Sequence, residues 1–144
     1  MALQRMDNVG IVVEDLPRMI AFLTELGMEL EGEMTVQGPW VDGCIDLDDV
    51  VCDTAMMRTP DGLSRFEISH FQHPVARPAP VNPVNTLGYL RVMFAVDDLD
   101  DTLARLAPYG CEVLREVVQY EDVYRLCYVR GPEGLLLGLA QQLS

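Results

Sequence analysis

Few side chains in this sequence have the types and spacing to do chemistry. His70 and His73 are the two histidines, set as H-x-x-H in "RFEISHFQH". A metal site at that spacing needs carboxylates or thiolates placed with it, and none stands at a ligand interval. Strand alternation puts His70 on the face opposite Glu67, and His73 leads into a proline-rich segment, so both read as surface or packing residues. The densest polar–aromatic stretch is "VVQYEDVYRLCYVRGPEG", residues 117–134. On a strand, Tyr124, Leu126 and Tyr128 share one face, and Arg125, Cys127 and Val129 the other. Glu121 and Asp122, just ahead of it, have the chemistry of a general base or a cation binder. The alternative is a solvated hairpin with aromatic cross-strand packing. Trp40, in "QGPW", either walls a pocket or fills a gap between modules. The sequence holds no Ser/His/Asp arrangement, no Gly-rich phosphate loop and no dinucleotide fingerprint.

Composition narrows the classes. At 144 residues and 49% hydrophobic, the chain reads as one compact domain and excludes a disordered one. No window approaches 18 unbroken apolar residues, so no membrane span or membrane partner is expected. The opening "MALQRMDNVG" lacks a secretory apolar region, which points to the cytoplasm. Cys44, Cys52, Cys111 and Cys127 form no CxxC pair and read as free thiols in a reducing compartment. The net charge of −13 repels phosphate backbones, so nucleic acid is not expected as a partner. That charge either attracts cationic small molecules or serves only solubility. Met56, Met57 and Met93 fall on strands. There they fill core or form an adaptable wall for a bulky apolar ligand.

What must position these residues is a repeat. Residues 9–30, "VGIVVEDLPRMIAFLTELGMEL", slide without a gap onto 92–113, "VMFAVDDLDDTLARLAPYGCEV", with 8 of 22 positions identical. "RTPDGL" at 58–63 is echoed by "RGPEGL" at 130–135. Val9, Ile11 and Val13 alternate as a strand. Asp15 is placed to cap a helix, Pro17 fits its first turn, and Gly27 ends it. Leu16, Ile20, Leu23 and Leu26 form its apolar stripe, widened by Met19 and Phe22. Asp98, the stripe Leu99–Leu103–Leu106 and Gly110 repeat the scheme, with Pro108 shortening the helix. Further strands are expected over about 28–33, 51–58 and 64–71, then 112–118, 124–130 and 135–140. Residues 40–47 are open between loop and a short helical turn. Each module is thus βαβββ: module 1 about 4–72, a Pro-rich linker about 73–86 that is extended and exposed, and module 2 about 87–142.

A strand reading "D-N-V-G-I-V-V-E-D-L", a helix closing on "LG", a strand pair turning at "PDG", and repetition of the whole together resemble the vicinal oxygen chelate superfamily. Its members include glyoxalase I, bleomycin-resistance proteins, extradiol dioxygenases and methylmalonyl-CoA epimerase. The resemblance implies an α+β fold of tandem βαβββ modules forming a U-shaped half-barrel cleft, in one domain over 1–144. In metal-dependent members a divalent ion is held by residues of the first and last strand of each half. Carried over by position, those ligands fall on Asn8, Glu67, Arg91 and Gly138. Asn is a weak ligand, Gly138 has no side chain, and the Arg91 guanidinium stays protonated and repels a cation. Glu67 alone cannot build a transition-metal site, so no cofactor is expected and a divalent metal is disfavoured.

Two functions remain open on this reading. In the first, the protein binds or sequesters a small organic ligand, as bleomycin-resistance members do. Asn8, Trp40, Glu67, Arg91, Glu121, Tyr124, Tyr128 and Gly138 then line the cleft, and the resemblance implies a homodimer. In the second, it is a lyase, isomerase or cyclase, metal-independent or with atypical metal ligands. Glu67 is then the base and Arg91 the electrostatic stabiliser of an enolate. If Glu67 and Arg91 meet, the guanidinium stands in for the ion, either as a structural remnant or as a clamp on an anionic or carbonyl group.

Overall fold

The computed structural model describes residues 2–144. The chain divides into two compact units, one ending at Pro78 and one running from Ala79 to Ser144, so the boundary lies in the proline-rich segment. Among the described residues the fold is mixed α+β, with two sheets and three α-helices.

The first unit runs β1 (Val9–Val12), α1 (Leu16–Leu26), β2 (Glu29–Gln37), α2 (Pro39–Ile45), β3 (Val51–Arg58) and β4 (Arg65–His73). Its sheet order is β1-β4-β3-β2, with β1 parallel to β4 and the other pairs antiparallel. Local chemistry sets the limits of α1. The Asp15 carboxylate accepts the Arg18 backbone N–H at 3.0 Å, satisfying a donor the helix leaves orphaned. Gly27, at φ 125°, turns the chain out and donates its N–H to Leu23 and Thr24 carbonyls. The buried stripe is Leu16, Met19, Phe22 and Leu23. It is centred further toward Met19 and Phe22 than the sequence spacing suggests, and Ile20 and Leu26 are only half-buried. This stripe packs on the sheet face carrying Ala55, Met57, Phe66 and Ile68, all fully or nearly fully buried.

The second unit runs β5 (Val92–Ala95), α3 (Leu99–Leu106), β6 (Glu112–Val113), β7 (Val118–Tyr120), β8 (Tyr124–Arg130) and β9 (Leu136–Gln142). The order is β5-β9-β8-β6, with β7 also paired to β8. Asp98 caps α3 by accepting the Asp101 N–H at 3.0 Å. Thr102 is buried on the helix and satisfies its hydroxyl on the Asp98 carbonyl at 2.7 Å. Pro108 converts the last turn to a 3₁₀ segment that ends on left-handed Gly110. The side chain of Gln141 on β9 accepts the Leu99 N–H at 2.8 Å, and Arg125 on β8 grips Asp100 with two nitrogens. Both contacts put α3 on the face of Leu137, Leu139, Cys127 and Val129.

Two strand expectations are corrected, and the segment left open between loop and helical turn is resolved. Strand β2 continues to Gln37 because its pairing with β3 persists to Val51. Residues 39–45 are helical, entered at Pro39 and closed by Asp46 in the left-handed region. The strand expected over 112–118 breaks into β6 and β7, because Arg115 takes φ 60° and the chain kinks there. The proline-rich linker has no regular structure and its residues are mostly exposed, as its composition implies.

Candidate functional site

In the second unit α3 covers one face of the sheet and the other face carries no helix. In the first, α1 covers one face, and α2 packs Val41 against Cys52, Val36 and Phe71 at one end of the other. The faces opposite α1 and α3 carry the positions that the sequence singled out. In the first unit, parallel pairing sets Gly10 of β1 beside Glu67 of β4, and Met56 of β3 lies on its other side. Asn8 precedes β1 and shares that face by alternation. Glu67 is half-buried, and its side chain makes no hydrogen bond or ion pair with the described residues of its unit. A side chain at Gly10 would meet nothing within 4 Å, so the space beside the carboxylate is open.

The second unit inverts this arrangement. The same parallel pairing sets Met93 of β5 beside Gly138 of β9, with Tyr128 of β8 on the other side. A Cβ at Gly138 would lie 2.6 Å from both Cε and Sδ of Met93 and 3.5 Å from Cδ of Arg91. The glycine is therefore there because the Met93 thioether fills its side-chain volume. Where the first unit pairs a glycine with a carboxylate, the second pairs a methionine with a glycine. Arg91 donates through Nε to the Tyr128 hydroxyl at 2.9 Å, and its Cζ stands 5.4 Å from the ring centroid. Among the described residues, no carboxylate of its own unit pairs with it.

The residues at the four positions of the metal-dependent pattern do not fit a divalent ion. They offer an amide, one carboxylate, a permanent cation and a volume already occupied by a methionine. Among the described residues, no three His, Cys, Asp or Glu side chains are grouped to hold one elsewhere.

The other candidates are placed as follows. Tyr124 and Tyr128 lie on the helix-free face with Leu126, and Tyr120 pairs across to Tyr124. Glu121 and Asp122 form the exposed tip of the β7–β8 hairpin, with Glu121 at φ 49° in the turn. Trp40 stands on α2 against Gly38 and is 65% exposed, so it fills no gap. All four cysteines are free. Burial, helped by the Cys127 thiol nearby, pushes the Cys111 thiol up to about 11.

One feature of the first unit was not legible beforehand. A cavity of about 660 Å³ opens beside the start of α1, lined by Glu14, Glu33, Asp53 and His70 among others. Antiparallel pairing brings Asp53 directly opposite His70. His70 is turned to the Val13 carbonyl at 3.3 Å. Asp53 is held below the usual carboxylate range chiefly by its hydrogen bond from Thr35, then by that from Gln72. Both groups are thus occupied in binding the strands together. His73 bonds to the Asp49 carbonyl at 2.8 Å.

The family model described as Glyoxalase/Bleomycin resistance protein/Dioxygenase superfamily matches residues 5–139. A crystal structure of a glyoxalase family protein from Bacillus cereus is similar over 100% of this chain and 99% of its own, at 51% identity and a TM-score of 0.95. At 15% identity, the fosfomycin resistance protein FosX from Listeria monocytogenes, complexed with Mn(II) and sulfate, shares the fold. It matches over 97% of this chain and 91% of its own, with a TM-score of 0.61. A glyoxylase/bleomycin resistance protein/dioxygenase domain from Frankia does so at 16% identity, over 98% and 99%, with a TM-score of 0.65. No curated protein matches the chain.

Proposed function

The chain belongs to the Glyoxalase/Bleomycin resistance protein/Dioxygenase superfamily, and from that premise we propose that it binds a small organic ligand without a resident metal. The observation that carries this reading is the second unit's exchange of side chains. Met93 occupies the volume over Gly138, and Arg91 brings a fixed positive charge to the adjacent position. A cation brought there would meet repulsion rather than donors. The second unit's helix-free face, with Arg91, Tyr124 and Tyr128, then serves to hold an organic molecule, as a sequestering protein does, and Asn8 and Glu67 mark the corresponding face of the first unit. A homodimer in the cytoplasm is the setting we propose, with no nucleic-acid or membrane partner.

The test is a ligand-library screen on the full chain by saturation-transfer NMR, with and without EDTA. The same compounds bind in both conditions on this account. Binding that appears only after adding Mn²⁺ or another divalent ion would overturn it.

A second reading is favoured by one observation in the first unit. The Glu67 carboxylate has no partner among the described residues of that unit and faces the open space left by Gly10. A carboxylate so placed can take a proton from a carbon acid beside a carbonyl. On that reading Glu67→Gln abolishes turnover of a bound compound and leaves its affinity unchanged. Equal loss of both removes the base role.

A further inference from the structure

We infer that the ligand of the second unit's helix-free face is an organic anion with an apolar body, its charged group received by Arg91 and Tyr128 and its body by Met93. This rests on the ligand-binding reading above and names the chemical class that binds.

Charge pairing within the unit is the first support. Arg105 and Arg125 are neutralised by Asp101 and Asp100, at 2.9 and 3.0 Å. Arg130 spends its guanidinium on the carbonyls of Gly134 and Asn82. Arg91, like Arg130, has no carboxylate partner among the described residues of its unit, but unlike Arg130 its terminal nitrogens are not spent on carbonyls. Its anchor is a neutral phenol, so its charge is oriented but not cancelled.

Geometry is the second support. Only Nε is engaged, which leaves both terminal nitrogens of the guanidinium without a partner in the unit. Those two nitrogens are the pair that grips a carboxylate or phosphonate through two parallel hydrogen bonds. Tyr128 accepts from Nε, so its own hydroxyl proton remains to donate to the same anion. The Nε bond fixes the fork before any ligand arrives, which lowers the ordering cost of binding. A cation–π contact at 5.4 Å adds to that restraint. Beside the fork stands Met93, 36% exposed as a residue, next to Leu126 and Ala140 on the same face. Thioethers adapt to aromatic and aliphatic surfaces alike.

The chain's overall acidity does not contradict this. Exposed charges farther away than a Debye length of about 8 Å are largely screened at physiological salt, whereas a paired guanidinium acts at contact distance. Global charge slows the approach of an anion, and the local fork decides what stays.

The experiment uses four probes of one shape on the full chain: benzoate, phenylphosphonate, benzamide and benzylamine. Binding is followed by the Arg91 Nε–H and Met93 methyl resonances. Benzoate and phenylphosphonate shift both signals, and Arg91→Gln weakens them by about tenfold or more with an unchanged backbone spectrum. Tyr128→Phe, which keeps the charge, weakens them by less. Benzamide or benzylamine binding as well as benzoate would overturn the anion assignment and leave small-molecule binding standing. Anion binding that survives Arg91→Gln would overturn the role of Arg91. If no probe moves the Met93 methyl, the inference fails, while the library screen still decides the broader reading.

Discussion

Gly138→Ala is the substitution whose outcome depends most directly on the exchange between β5 and β9. The added methyl would stand 2.6 Å from the end of Met93, inside contact distance, so the thioether must swing out. Met93 is 36% exposed, so roughly two thirds of a side chain worth about 2 kcal/mol when fully buried is lost, or about 1.3 kcal/mol. Gly138 has an ordinary backbone angle, so alanine returns about 0.7 kcal/mol by restricting the unfolded chain. The net loss is therefore only about 0.6 kcal/mol. The clearer quantity is the coupling between the two side chains. In a Met93→Ala background the clash is absent, and Gly138→Ala becomes stabilising by about 0.7 kcal/mol. The coupling is thus about 1.3 kcal/mol, read from a double-mutant cycle by urea unfolding followed by far-ultraviolet circular dichroism. Gly10→Ala is the internal control, because open space surrounds that Cβ; it should stabilise by about 0.4–1 kcal/mol. Additive effects of Met93→Ala and Gly138→Ala, within about 0.3 kcal/mol, would refute the volume exchange.

Further outcomes follow from the caps and the thiols. Asp15→Ala and Asp98→Ala each remove a carboxylate that accepts a first-turn N–H and should cost about 1 kcal/mol in thermal or urea unfolding. Gln141→Ala orphans the half-buried Leu99 N–H and should cost about 1–3 kcal/mol, with Gln141→Glu recovering most of it. The Cys111 thiol is raised to about 11, above its unfolded value, so its contribution to stability is complete below pH about 9 and is lost as pH rises toward 11. Unfolding measured across that window should show a smaller decline for Cys111→Ala than for the parent. Iodoacetamide at pH 8, read by mass spectrometry, should label exposed Cys44 well before Cys111.

The helices were legible because their signals are local. Asp15, Pro17 and Gly27 lie within one helix length of one another, and each acts through its own backbone neighbours. The repeat was legible because its halves align without a gap, and its reading as tandem βαβββ modules carries the fold. The role of Gly138 was not legible, since the sequence presents it only as an absent ligand. It becomes a packing requirement once parallel pairing sets it against Met93. The Arg91–Tyr128 bond was hidden for the same reason, as it joins the approach to β5 to the third strand of its sheet. The opposition of Asp53 and His70 depends on β3–β4 register, which no spacing rule along the chain could give. The break at Arg115 is carried by a positive φ at a residue type that does not advertise one.

The central claim is that this family member holds its ligand without a metal. Metal content of the purified, untagged full chain, followed by calorimetric titration with Mn²⁺, Ni²⁺, Zn²⁺ and Fe²⁺, tests it most directly. The account predicts no stoichiometric ion as isolated and no saturable heat with any of the four. One tightly held ion per chain, lost on Glu67→Gln, would contradict it and return Glu67 to the role of a metal ligand.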